Sequence, residues 1–119
     1  MASRKVITIA SSEEIGRVLK KGRRRNGGLL SVCYLPRFVS EAREEPEALV
    51  GRAAFIAGKK LGGAVWRNRS KRVLRAALRE AGGTRAGYDL LLIANARTAA
   101  SRSYEVAQEL TMLLSEARI

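Results

Sequence analysis

Residues 64–80 read AVWRNRSKRVLRAALRE, and the way this stretch sorts its charge decides the fold around it. Six of its residues are Arg or Lys, and its only acid is the last, Glu80. Val73, Leu74, Ala77, Leu78 and the following Ala81 recur at helical spacing and make one apolar face. Asn68, Lys71, Arg72, Arg75 and Arg79 follow i, i+3, i+4, i+7, i+11 and make another. The segment is therefore an amphipathic helix with a core-facing side and a cationic stripe, stopped by Gly82 and Gly83. Like charges four residues apart repel by about 0.2–0.5 kcal/mol per pair. Acids at alternate positions would remove that repulsion, so the unneutralised charge points to a negatively charged partner.

Strands flank this helix. VGRAAFIA (50–57) precedes it through a turn, GKKLGG (58–63), that carries Lys59 and Lys60. YDLLLIA (88–94) follows it. The context is thus β-α-β and not helix-turn-helix. Farther out, Ser11-Ser12-Glu13-Glu14 starts a helix, with a cap and two acids at its positive end. Ile15, Val18 and Leu19 follow at helical spacing, and Lys20, Lys21 and Gly22 end it. RRRNGG (23–28) reads as a basic, glycine-rich loop. Residues 29–35 make a strand that Pro36 terminates. Residues 37–51 are a long, Glu-rich connection, where Glu41, Glu44, Glu45 and Glu47 form a solvated acidic loop. Residues 103–117 carry Val106, Leu110, Met112, Leu113 and Leu114 on a C-terminal helix. VITI (6–9) adds a short strand or packs as an extended arm. The order is α-β-β-α-β-α, an α+β sandwich with helices covering a small sheet. One domain spans 1–119, with 1–10 a flexible or extended N-terminal arm.

Composition narrows the chemistry. The 119 residues are 46% hydrophobic, enough for a core. The net charge of +12 implies a polyanion: nucleic acid or an anionic membrane surface. There is no histidine, and Asp89 is the only aspartate. A Ser-His-Asp triad, a Cys-His pair and a His-based metal site are excluded within this chain. The single Cys33 excludes an internal disulfide framework and reads as a small core residue. No apolar run reaches membrane-span length, and MASRKVITIA has no secretory h-region, so a cytoplasmic location is expected. A membrane-surface role fits poorly, because the helix needs its modest apolar face for the core.

Two clusters hold most of the charge. Residues 17–25 carry six cations: Arg17, Lys20, Lys21, Arg23, Arg24 and Arg25. Residues 59–79 carry eight, with no acid. Such groups neutralise phosphates and release counterions. Arginine adds a hydrogen-bonding fork, and Asn68 offers both donor and acceptor to a base edge or a 2′-hydroxyl. Trp66 stacks on a base or packs at the helix start. With 5% aromatics, the chain is not a usual aromatic platform for single strands.

Residues 58–75, GKKLGGAVWRNRSKRVLR, resemble the signature of the bacterial ribonuclease P protein component, roughly S-K-K-x-G-x-A-V-x-R-N-x-x-K-R-x-x-R. The element order agrees from about Ile9 to Leu114. The resemblance implies a holoenzyme, an endoribonuclease, that removes the 5′ leader of precursor tRNA by phosphodiester hydrolysis. Its catalytic RNA subunit performs the chemistry with Mg²⁺, held mainly by RNA and substrate, and the protein alone is inactive. The implied partners are that RNA and precursor tRNA, with no membrane and no obligatory protein partner. By the same resemblance, Arg67, Asn68, Arg69, Lys71, Arg72, Arg75 and Arg79 face the RNA subunit. Ile15, Arg17, Leu19, Tyr34, Lys59 and Lys60 belong to a leader cleft between the first helix and the sheet. A one-residue register decides whether Tyr34 or Cys33 faces that cleft. Arg23, Arg24 and Arg25 supply a further basic surface. The family fold also has a left-handed β-α-β crossover, against the usual hand. The chain departs from the pattern where the family's two first-helix phenylalanines become Ile15 and Leu19, which pack but do not stack. Gly58 stands where the family has Ser, Gly63 where Asn is frequent, and Thr8-Ile9 where it has Arg-Leu. The alternative is a structured-RNA-binding protein of ribosomal or chaperone type with no processing role. A DNA-binding regulator is a third reading.

Overall fold

YDLLLIA is apolar at almost every position because both faces of its strand are covered. In the computed structural model, which describes residues 6–37 and 51–119, this strand, β4 (Tyr88–Ala94), lies inside a four-stranded sheet of order β1-β2-β4-β3. The other strands are β1 (Arg23–Asn26), β2 (Leu30–Pro36) and β3 (Arg52–Ile56). β4 pairs antiparallel with β2 and parallel with β3. The helices are α1 (Ser12–Lys21), α2 (Ala64–Glu80) and α3 (Ser103–Glu116), and a 3₁₀ turn, Lys59–Leu61, leads from β3 into α2. Among the described residues no helix is long and apolar enough to cross a membrane.

Register assigns the faces. Leu30, Val32 and Tyr34 share one face with Leu90, Leu92 and Ala53, and α2 and α3 pack there through Leu74, Ala77, Leu78, Val106, Leu110 and Leu114. Each such large side chain contributes roughly 1.5–3 kcal/mol on burial. Cys33, Leu91 and Ala54 occupy the opposite face, covered by Val18 of α1 and by Ile9, with Ile15, Leu35, Ile56 and Ile93 half-buried around them. The periodicity of α2 holds: Leu74, Ala77 and Leu78 are buried, Val73 half-buried. Gly82 and Gly83, at φ of +106° and +86°, end it in left-handed backbone that favours glycine.

One expectation changes. Residues 23–26 are a strand, not a loop, so the order becomes α-β-β-β-α-β-α. Pairing with β2 outweighs the weak strand preference of RRRN, and only Gly27 to Leu29 make the turn, closed by Gly27 N–H donating to Leu30 O at 2.8 Å. β1 is an edge strand, where three solvated arginines also discourage further strand pairing. The VITI arm packs along β3: Ile9 N–H donates to Ala53 O at 2.9 Å, and Ala53 N–H to Ile7 O at 2.8 Å. The acidic loop with Glu41, Glu44, Glu45 and Glu47 lies outside the described residues, as do 1–5.

Gly22 joins α1 to β1 in a corner with no room for a side chain. A Cβ there would press on the backbone oxygen of Val18 and come within 2.8 Å of Tyr34 O. Gly22→Ala is expected to lose about 1–3 kcal/mol through overpacking alone, measured as a lowered urea midpoint at unchanged slope.

Candidate nucleic-acid interface

Burial in α2 begins only at Ser70, so its first six residues overhang the core. At about 100° per residue, Arg67, Asn68 and Arg69 point in three directions around that overhang. Arg67 continues the core-facing side beyond the core and is half-buried, and its Nε is buried with no hydrogen-bond partner. Asn68 opens the exposed stripe of Lys71, Arg72, Arg75 and Arg79, and Arg69 is exposed on the far side. Arg75 lies over the Phe55 ring at 5.1 Å, so the stripe borders the β3 edge. Lys59 and Lys60, both exposed, stand in the turn joining that edge to α2. Trp66 is half-buried and packs over Gly62.

The start of α2 is electrostatically bare. Its cap residue, Gly63, supplies no side-chain acceptor, and its first turn holds no acid. The other two helices are treated differently. In α1, Ser11 Oγ accepts from Glu14 N–H, with Glu13 and Glu14 in the first turn. In α3, Glu105 Oε1 accepts from Arg102 N–H at 3.0 Å. The free N–H groups and positive dipole end of α2 therefore add to the attraction that its cations exert on anions.

The proposed cleft residues divide. Ile15 and Leu19 share one flank of α1, half-buried and exposed respectively. Ile15 packs in the same cluster as Ile56 and Ile93, and Lys59 and Lys60 follow where β3 ends. Ile15 and Leu19 thus lie on the flank of α1 toward which β3 runs out into the turn of Lys59 and Lys60. Tyr34 lies elsewhere: the register sends it to the opposite face, where its ring meets Tyr88 edge-on with centroids 6.4 Å apart. Cys33 is the residue that faces α1, its Sγ donating to Val18 O at 3.2 Å. Burial pushes its thiol up, against the positive field of Arg24 and a backbone hydrogen bond at Tyr34. Arg17 also leaves the cleft, because it lies on the other flank of α1 with Glu14 and Lys21. In β1, Arg24 points to the α1 face and its Nε donates to Asn26 Oδ1 at 2.9 Å, while Arg23 and Arg25 point to the other.

Sequence reasoning missed a group at the base of α1. Arg52 donates from Nε and Nη2 to the two oxygens of Asp89 at 3.0 and 2.9 Å, and from Nη1 to Glu14 Oε2 at 2.7 Å. Arg37 adds a contact to Asp89 at 3.6 Å. The hydrogen bonds that Arg52 donates to Asp89 raise its pKa in spite of burial. This bridge ties α1 to β3 and β4. Its available signal was Asp89 itself, a lone acid in an apolar strand. Among the described residues no three Cys, Asp or Glu side chains converge to hold a metal, and Glu14 and Asp89 are engaged by Arg52.

Comparison with known proteins agrees with this architecture. A family model described as "Ribonuclease P" matches residues 4–118. The ribonuclease P protein component of Dehalococcoides mccartyi strain CBDB1 is 35% identical over 111 residues, covering 93% of this chain and 84% of that protein. The protein of the same name from Syntrophomonas wolfei is 37% identical over 89 residues, covering 74% and 67%. Among solved structures, the RNase P protein of Staphylococcus aureus superposes with a TM-score of 0.70 at 22% identity, over 97% of this chain and 98% of that one. That of Thermotoga maritima gives 0.70 at 17%, over 92% and 96%.

Proposed function

The chain belongs to the ribonuclease P protein component family, and from that premise we propose that it is the RNA-binding subunit of an endoribonuclease whose RNA subunit cuts the 5′ leader from precursor tRNA. The bare start of α2 carries this reading: it combines unneutralised cations, free N–H groups and an overhang clear of the core. Arg67, Asn68, Arg69, Lys71, Arg72, Arg75 and Arg79 grip the catalytic RNA. Three successive side chains diverging around a helix suit an RNA surface that wraps it, not a flat one. The cleft of Ile15, Leu19, Ile56 and Ile93, with Lys59 and Lys60 at its mouth, takes the leader. Its walls are aliphatic, so contact there rests on packing and on phosphate neutralisation and not on base stacking.

When bound, Mg²⁺ would activate the attacking water and stabilise the leaving oxygen, and we assign its ligands to RNA and substrate oxygens and not to side chains of this chain. The protein reduces repulsion between two polyanions and orients the substrate. The setting is cytoplasmic, with no membrane and no obligatory protein partner. The test is reconstitution. The isolated chain should cleave no precursor tRNA, yet restore leader removal when added to a bacterial catalytic RNA in low Mg²⁺. Cleavage that survives removal of all RNA would contradict the assignment of chemistry to RNA. Binding of structured RNA without restored cleavage would favour a chaperone-type role.

A further inference from the structure

The flank of α1 that Arg17 occupies opens on a cavity of about 390 Å³, within the range of ligand pockets, roughly 300–1,000 Å³. Four cations line it against two carboxylates: Arg17, Lys21, Arg37 and Arg52 against Glu14 and Asp89. Both carboxylates are engaged by Arg52, and Asp89 also by Arg37. Arg17 and Lys21 have no ion pair or side-chain hydrogen bond among the described residues. They stand four apart on one helix flank, where like charges repel. Lys21 lies in the last turn, where the helix dipole favours a cation. Arg17 lies mid-helix and gains nothing from that end. Arg52 is held rigid with three of its five N–H donors engaged, leaving two.

Leu35 and Pro36 form an apolar wall beside these cations. The cavity borders a second, of about 320 Å³, that shares Lys21, Leu35 and Pro36 and adds Arg23 and Tyr88. The two cavities meet at the end of the sheet, so cations and apolar or aromatic surface follow one another from the α1 face past Lys21 to Arg23 and Tyr88 on the other face, a groove path that suits a single nucleic-acid strand. We propose that this groove, across α1 from the leader cleft, is a second RNA site. It takes the phosphates of a short single-stranded segment at Arg17, Lys21 and Arg23, with ribose against Leu35 and Pro36. This rests on the RNA-binding reading above. It makes α1 a partition with RNA on both flanks, pinned by the Glu14–Arg52–Asp89 bridge.

The test uses the full chain with Arg17→Ala and Lys21→Ala together. Affinity for the bacterial catalytic RNA and for precursor tRNA is measured separately across a salt series. One of the two should weaken roughly tenfold, with a salt slope smaller by about 1–2, and the one that weakens identifies the RNA. Arg17→Lys with Lys21→Arg should restore it, which a purely structural role of these side chains does not predict. As a direct readout, titrating the wild-type chain with a uridine hexanucleotide should shift the Nε–H resonances of Arg17 and Arg52. Inorganic phosphate alone should shift them only at much higher concentration. If the wild type binds both RNAs and the double variant binds them equally well with equal slopes, the second site is overturned while the main reading stands. If the wild type binds neither RNA, the main reading fails first.

Discussion

Replacing Arg67 and Arg69 together by alanine is expected to weaken binding of the catalytic RNA by at least about a hundredfold at moderate salt. Each guanidinium offers a charge-assisted hydrogen bond to phosphate worth about 1.5–3 kcal/mol. Two lost contacts should also reduce the salt slope by nearly 2. The fold should be indifferent. Arg69 is exposed, and the Nε of Arg67 gives up no intramolecular hydrogen bond because it makes none. Melting temperature measured beside a filter-binding titration separates the two effects. Lysine at both positions should keep most of the salt slope but only part of the affinity, because charge survives and the fork does not. Unchanged affinity of the alanine pair would remove the overhang of α2 from the interface.

Much of this was legible in the sequence because α2 carries two signals that do not interfere. Its apolar positions specify packing, and its unneutralised cations specify a partner. The central strand was equally plain, since YDLLLIA is buried on both sides. What stayed hidden depended on pairing between distant residues. RRRN looks like a loop because its strand character comes from β2, not from its own side chains. The Tyr34 and Cys33 assignment turned on register, and period-two geometry exchanges the faces for a single step. Arg17 left the cleft for a related reason: its flank of α1 was decided only when Val18 settled against Cys33. The Arg52 bridge joins three elements 38 and 37 residues apart in the chain, a separation that no local pattern spans.

That bridge supports the second large effect. Asp89→Ala is expected to destabilise the chain by about 3 kcal/mol, lowering the melting temperature by roughly 10 °C. The side chain of Asp89 is 10% exposed and that of Arg52 19%, so little water reaches the pair to replace the lost contact. The mutation leaves a guanidinium largely buried with Glu14 as its one remaining partner among the described residues, and removes the carboxylate near Arg37. Most of the loss should therefore come from the stranded charge and not from a missing attraction. This has a distinctive consequence. Adding Arg52→Met to Asp89→Leu removes both buried charges, and Glu14, whose side chain is 37% exposed, can turn to solvent. The double variant should recover much of the stability that Asp89→Ala loses, despite having lost more polar contacts. Urea denaturation of the three proteins decides the matter. A double variant less stable than the single would mean that the bridge contributes chiefly through its own attraction, holding α1 to the sheet. A single variant within 0.5 kcal/mol of wild type, the range of ordinary surface substitutions, would mean that the pair contributes little to the fold.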